Sequence, residues 1–535
     1  MLRRASFFGA VLISGLASTA HAQSSSIQGQ QPSMEQLLRR IDALQHRVDE
    51  LEDRERRNKE RQSKAKAPST APVQASQYAA PAETAGAPRR VATRNPNLLP
   101  PEPMGNQYST EDALRSDLPG LSFRVPGTQS EIRFYGFANV NGYLDFNARN
   151  QNDAPPPQTI PLANSAAARQ GGDFGLSARF SRFGLDTRTP TDWGTLETRF
   201  EGDFGGGEPG SLNQLFRLRQ AWGELGTESF RVLIGQANSL WNEGVYETVN
   251  FATNLNQSFV RQPQLRATAL LATGLTGYVS LEFPDTQFTS TGGVFTPTFF
   301  PAPSPAFDAL PDFLARLDYR NDGMVLDLRS LLRDLSMRTE GTILAPPAVT
   351  RDALGWGVAG TARLPMRWLS PAFGPDELIG MAYYGQGIGR YFGGNTFGQD
   401  ALSNIGLPVI AGVTLDPLTT YGATGAYRRF WTTQLRSNFV YSYAWQDYPA
   451  YALLFTPGTR SAIFLNDNIQ QAIVNVIWSP FAELKDNTVG TGWLDVGLEY
   501  VYTDRNVFGG SEATGPAGAG YGTANRIYGS VTMRW

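Results

Sequence analysis

From Ile132 onward the chain alternates. Ile132, Phe134, Gly136, Ala138, Val140, Gly142, Leu144 and Phe146 share one face of an extended segment, and Arg133, Tyr135, Phe137, Asn139, Asn141, Tyr143, Asp145 and Asn147 share the other. Successive side chains of a strand point to opposite faces, so this is a strand with one apolar side and one polar side. It is longer than most strands of soluble sheets. The pattern returns in Leu196, Thr198, Phe200, Gly202 and Phe204 against Glu197, Arg199, Glu201 and Asp203, and again in Leu494, Val496, Leu498, Tyr500 and Tyr502 against Asp495 and Glu499. It closes the chain, where Ile527, Gly529, Val531, Met533 and Trp535 oppose Arg526, Tyr528, Ser530, Thr532 and Arg534. Charged faces opposite wholly apolar faces, on strands of about ten residues, suit a barrel with lipid outside and water inside.

The connections bear on the same reading. Short turns fall at 190–194, 226–229, 273–276, 321–323 and 428–431, with Pro-rich ones at 365–376 and 479–490. Longer loops fall between them at 150–172, 236–262, 284–311, 335–354, 393–417, 446–466 and 504–523, with a tight loop at 205–210. Alternating short and long connections predict an all-β fold, a transmembrane antiparallel barrel of about 16 strands with both ends on the short-turn side. Outer-membrane lipid is then its surroundings, and Val531, Met533 and Trp535 serve both as closing strand and as a signal to the barrel-assembly machinery.

A different period precedes the barrel. Ser33 with Gln36 forms a capping box, and Met34, Leu37, Ile41, Leu44, Val48 and Leu51 follow in a heptad pattern. Three heptads are marginal without a partner, so the helix is expected to oligomerise. Arg47, Val48, Leu51 and Glu52 lie in an arrangement that resembles the trimer-specifying motif of short coiled coils. Before it, Arg3 and Arg4, the apolar run Phe7 to Leu16 and Ala20-His21-Ala22 read as a signal peptide. The expected organisation is a signal peptide over 1–22, a periplasmic coiled coil over 23–61, a Pro- and Ala-rich linker over 62–120 and an outer-membrane barrel over 121–535.

Composition narrows the chemistry. Lys+Arg number 46 and Asp+Glu 49, which gives no polyanion-binding surface and no expectation of nucleic acid. Cys is absent, and the two histidines, His21 and His46, precede the barrel, so no His triad or thiolate metal site can be built within it. Neither an enzyme, a cofactor nor a metal is expected. Arginine is the informative residue. From Ile132 to Trp535 there are 28 Arg and one Lys against 35 acidic residues, a net charge of −6. Strand parity turns Arg182, Arg199, Arg217, Arg219, Arg231, Arg266, Arg316, Arg320, Arg329 and Arg436 inward. The guanidinium fork grips carboxylates and never loses its charge. Many of these arginines should pair with Glu197, Glu201, Asp203, Asp318 or Asp327, leaving roughly a third to face solute. The first six are the candidate pore lining. The loop 236–262, third on the long-loop side, is the candidate constriction through Trp241, Glu243, Tyr246 and Glu247; folded inward, its acids would oppose the arginine wall. Gln220 fits less well, because parity puts it on the lipid face with Leu218 and Trp222, where a subunit interface would have to cover it.

The coiled coil and linker, Ile132 to Ala138, Arg179-Phe180-Ser181-Arg182-Phe183-Gly184, Asn475-Val476-Ile477-Trp478-Ser479-Pro480 and Asp495 to Tyr500 resemble the DcaP-like porins. The resemblance implies a trimeric outer-membrane channel, one 16-stranded barrel per subunit, that passes small anionic solutes such as dicarboxylates. Two other classes join similar parts. A trimeric coiled-coil-plus-barrel adhesin or tether contributes few strands per chain, and a TonB-dependent transporter needs a plug and about 22 strands.

Overall fold

A computed structural model describes residues 118 and 120–535, apart from stretches at 208–213, 244–245, 251–253, 297–303, 341–347, 396, 408–411, 486–487, 491 and 516–517. The expected signal peptide and coiled coil, with Arg47, Val48, Leu51 and Glu52, and nearly all of the linker lie outside the described residues.

Sixteen strands make one closed antiparallel sheet. In chain order they are β1 (Glu131–Asp145), β2 (Arg182–Thr191, extended by Asp173–Ser177), β3 (Gly194–Asp203) and β4 (Arg217–Gly226). Then come β5 (Phe230–Asn238), β6 (Arg261–Ala272), β7 (Leu275–Glu282), β8 (Asp312–Asn321), β9 (Met324–Thr339) and β10 (Val349–Pro365). The last six are β11 (Glu377–Gln386), β12 (Thr419–Phe430), β13 (Leu435–Gln446), β14 (Asn466–Trp478), β15 (Leu494–Val507) and β16 (Tyr521–Arg534). Each pairs with its sequence neighbours, and β1 pairs with β16 from Phe137↔Arg534 to Asp145↔Arg526. Closure leaves no strand edge unpaired in hydrocarbon, where each open backbone group would cost several kcal/mol. Sixteen strands in a single chain are neither the few of an adhesin subunit nor the set of a TonB-dependent transporter.

The outward face is apolar and bare: Val140, Phe183, Phe200, Ile234, Leu328 and Val474 are all exposed. Their neighbours along each strand, such as Asn139, Arg199, Asp327 and Asn475, point inward and are polar. Six tryptophans, Trp193, Trp368, Trp431, Trp478, Trp493 and Trp535, are exposed, and all sit at or beside the short turns. The loop-side rim exposes Tyr384, Tyr421, Tyr441 and Tyr521 instead. These are the two aromatic girdles of an outer-membrane barrel, and the short-turn rim is the periplasmic one. The two-residue turn between β8 and β9 has positive φ at both Asp322 and Gly323, the geometry that matches the twist of such a hairpin.

One expectation needs correcting. The register of β3 and β4 shifts between Glu201 and Gly202, so Arg219 is an extra residue in β4. A bulge of one residue reverses parity beyond it. Gln220 and Trp222 therefore face the lumen, where the Trp222 ring N–H donates to Gln220 Oε1 at 3.0 Å, and Gln220 needs no subunit interface to cover it.

The seam between first and last strands predicts an assembly defect. Gly136 and Trp535 exchange backbone hydrogen bonds of 3.3 and 3.2 Å, and a Cβ on Gly136 would meet the Trp535 ring at 2.7 Å as well as the Arg182 carbonyl. Both Gly136→Val and removal of Trp535 are expected to lower the folded fraction in the outer membrane, read as loss of the heat-modifiable band on a gel. Unchanged yield of both variants would refute it.

Candidate functional site

The third loop, residues 239–260, enters the barrel because its sequence is too apolar to stand in water. Leu240, Trp241, Tyr246 and Val249 join a buried cluster with wall residues such as Leu314, Leu331, Ile379 and Ile473. Trp241 is 1% exposed and meets Tyr391 and Phe392 edge-on at 6.1 and 6.2 Å. Backbone donors of the loop reach wall acceptors: Leu240 N to Glu282 at 2.9 Å on β7, Val249 N to Glu499 at 2.7 Å on β15, and Leu255 N to Gln471 at 2.8 Å on β14. Tyr383 on β11 donates to Asn256 Oδ1 at 3.0 Å. The loop is thus stitched to the β7–β15 side of the lumen.

Its acids do not oppose the early arginines. Glu243 lies 3.6 Å from Arg329 on β9, and Glu247 takes Arg436 on β13 through two hydrogen bonds of 2.8 and 2.6 Å, with Arg428 on β12 at 3.7 Å. The arrangement expected from sequence, loop acids facing the arginines of β2 to β6 across the solute path, is replaced by loop acids pinned to arginines of the far wall. A buried carboxylate seeks a cation it can hydrogen-bond, and those of β9, β12 and β13 are within reach of a loop already held on that side.

The predicted pore-lining arginines point inward, each with its own partners. Arg199 chelates Asp186 at 2.8 and 3.0 Å and lies over the rings of Tyr135 and Trp222. Arg217 chelates Asp203 at 2.9 and 2.8 Å, and Arg219 bridges Glu201 at 3.2 Å and Asp203 at 2.6 Å. Arg182 is 3.4 Å from Glu201, and Arg231 is 3.3 Å from Glu224. Arg266 has no carboxylate within salt-bridge distance among the described residues and donates to Gln264 and the Asn238 carbonyl. Arg316, Arg320, Arg329 and Arg436 are likewise ion-paired. Fewer than a third of the ten lack an acid, because cross-strand register sets acids directly opposite them, as in Arg182↔Asp203 and Asp186↔Arg199. A paired arginine still faces solute where exposed: the Arg217 side chain is 36% exposed and that of Arg182 23%.

Two groups escaped the sequence reading. The side chain of Arg261, the first residue of β6, makes no hydrogen bond or ion pair among the described residues and lies within electrostatic reach of Arg219, Arg217 and Arg182. It adjoins the loop, where parity is not yet defined. The second group is a charge network under the outer loops. Arg333 on β9 reaches Asp312 at 3.4 Å and Asp400 at 2.8 Å, all three side chains fully buried, and its donors also hold the Gly387 and Asp285 carbonyls. Tyr391 donates to Asp312 at 2.8 Å. Here loop 283–311 and loop 387–418 meet in a small sheet of their own, Phe288–Ser290 beside Gly293–Phe295 and Ala401–Leu402. These strands are too short to carry a readable alternation.

A closed sixteen-stranded barrel, apolar outside and charged within, with an inserted loop, defines the class of outer-membrane channels. Within that class the family model of the DcaP outer membrane proteins matches residues 121–336. The crystal structure of the outer membrane channel DcaP of Acinetobacter baumannii has the same fold, with a TM-score of 0.56 and 18% sequence identity over 76% of this chain and 97% of that one. An anion-selective porin from Comamonas acidovorans is more distant, with a TM-score of 0.43 and 12% identity over 76% and 100% of the two chains. No curated protein matches the chain.

Proposed function

We propose that the channel passes small hydrophilic solutes passively and prefers anions, dicarboxylates among them. The observation that carries this reading is the cluster at the loop-side ends of β2, β3, β4 and β6. There Arg182, Arg217 and Arg219 pair with Glu201 and Asp203 and Arg261 adds a cation without an ion pair, an excess of two positive charges among the described residues. The acids of the third loop, which would otherwise offset that excess, are engaged on the opposite wall. The net charge of −6 over the barrel region argues the other way, but a pore selects by the potential within a Debye length, about 8 Å, of its narrow part. Each charge removed at such a distance in water is worth roughly a twofold change in anion occupancy. Arg217→Gln with Arg261→Gln should therefore move the reversal potential in a salt gradient toward cations and slow dicarboxylate entry more than sugar entry. A wild-type channel that prefers cations would sink the proposal.

The same reading has the protein act as a homotrimer, exported by its signal peptide, with the coiled coil on Arg47, Val48, Leu51 and Glu52 reinforcing association in the periplasm. Support within the barrel no longer comes from Gln220. It comes from an outward aromatic cluster in which Phe216 stacks on Phe200 at 6.5 Å, tilts against Phe183 at 5.7 Å and meets Phe204 edge-on at 6.3 Å, all exposed. Deleting residues 23–61 should leave trimers in detergent that dissociate at lower temperature. Purely monomeric truncated protein would count against it.

A further inference from the structure

We propose a second anion-binding station at the periplasmic mouth, beneath the third loop, for a small dianion of the dicarboxylate or phosphate type; it rests on the channel reading above. A cavity of about 510 Å³ lies there, of a size that suits small-molecule sites. Among the described residues its charged walls are Arg363, Arg367, Arg428 and Arg436 against Glu247 and Glu377, an excess of two positive charges in the lining. Loop residue Tyr246 roofs it, and Thr488 to Gly490 of the turn between β14 and β15 line it as well, so a solute is held at the mouth and not merely passed along a wall.

The arginines differ in what they have left to give. Arg436 is spent: Glu247 holds it twice, and Ser479 accepts from it at 2.6 Å. Arg367 is held by Asp322 at 2.8 Å. Arg428 gives one donor to Glu377 at 2.6 Å and another to Asn438 at 3.0 Å. Arg363 is the least committed of the four. It donates no side-chain hydrogen bond among the described residues, its Nε stands 3.7 Å from Glu377 in a long ion pair, and that buried Nε has no hydrogen-bond partner. Parity on β10 aims it into the lumen, alongside Thr361. A guanidinium in this state presents a free two-pronged edge, the geometry that grips a carboxylate or phosphate. The two acids of the cavity do not cancel it, because each accepts its hydrogen bonds from another arginine, Glu247 from Arg436 and Glu377 from Arg428. This station and the cluster around Arg217 and Arg261 lie on opposite walls and at opposite ends of the lumen.

Calorimetric titration of the detergent-folded protein with succinate, and separately with inorganic phosphate, tests the assignment. The wild type should show two sites. Arg363→Gln should weaken one of them by roughly tenfold, Arg363→Lys should restore part of it, and Arg217→Gln with Arg261→Gln should remove the other. Arg363→Gln keeps the Arg428–Glu377 pair and should fold, which heat-modifiability verifies. Whichever anion fills the Arg363 site names its occupant. An Arg363→Gln titration identical to wild type, with the Arg217/Arg261 site intact, overturns the second station alone. A wild type that binds neither anion and prefers cations overturns the channel reading beneath it.

Discussion

Replacing Arg329 by alanine is expected to free the third loop and to destabilise the barrel by about 3–5 kcal/mol, the cost of leaving the buried Glu243 without its cation and Asp327 with Arg316 alone. Arg329 holds Asp327 at 2.8 Å, lies near Glu243 at 3.6 Å, donates to Thr361 at 2.6 Å and also donates to the Trp241 carbonyl. The side chains of Asp327 and Glu243 are almost fully buried, so neither can turn to water in place. Among the loop's remaining ties, those to Glu282, Tyr383, Arg436, Gln471 and Glu499 lie on other strands, and only the Arg316 donor to the Asn242 carbonyl, at 2.9 Å, holds the backbone directly beside Trp241 from the neighbouring strand. Single-channel recording should show a larger and noisier conductance, with a lower unfolding temperature. A conductance equal to wild type would mean that the loop keeps its place through its apolar contacts.

The second large effect is expected at Arg333, on the same strand and closer to the outer loops. Arg333→Ala removes the cation that Asp312 and Asp400 share in a fully buried site, again at a cost of about 3–5 kcal/mol. The consequence is local. Asp400 also accepts from the backbone of Gln287 at 3.0 Å and of Arg390 at 2.8 Å, so it ties loops 283–311 and 387–418 together while Arg333 ties both to the wall. Limited proteolysis should cut these loops in the variant and spare them in the wild type. Arg333→Met combined with Asp400→Asn should recover part of the resistance, since it removes one unpaired charge along with the cation. Equal resistance of the single variant and the wild type would show that Arg390, 3.7 Å from Asp312, suffices.

What could be read from sequence, and what could not, divides by distance along the chain. Strand faces are local. The alternation around Val140 or Val531 is written in adjacent residues, and lipid on one side with water on the other makes that alternation unusually clean. Strand number followed from it once short and long connections were seen to alternate. The bulge at Arg219 was not legible, because one inserted residue leaves Leu218, Gln220 and Trp222 looking like one face. Placing arginines in the lumen likewise needed only parity. Choosing their partners needed register between strands and the path of a loop that crosses the lumen. Glu247 and Arg436 are 189 residues apart, and nothing near either one announces the other. Arg363, by contrast, stood out only once its neighbours were known to be occupied.

The tryptophan rim has a mechanical consequence. Indole rings prefer the headgroup boundary and move from it reluctantly, so six of them fix the depth of the barrel from the inner leaflet, whereas the tyrosines of the outer rim tolerate a wider range of depths. A change in bilayer thickness is then absorbed on the outer side, where the sheet rises into its capping loops, and the periplasmic mouth keeps its height. A barrel moored in this way presents the cavity beneath its third loop at a constant level above the periplasm, whatever lipid surrounds it.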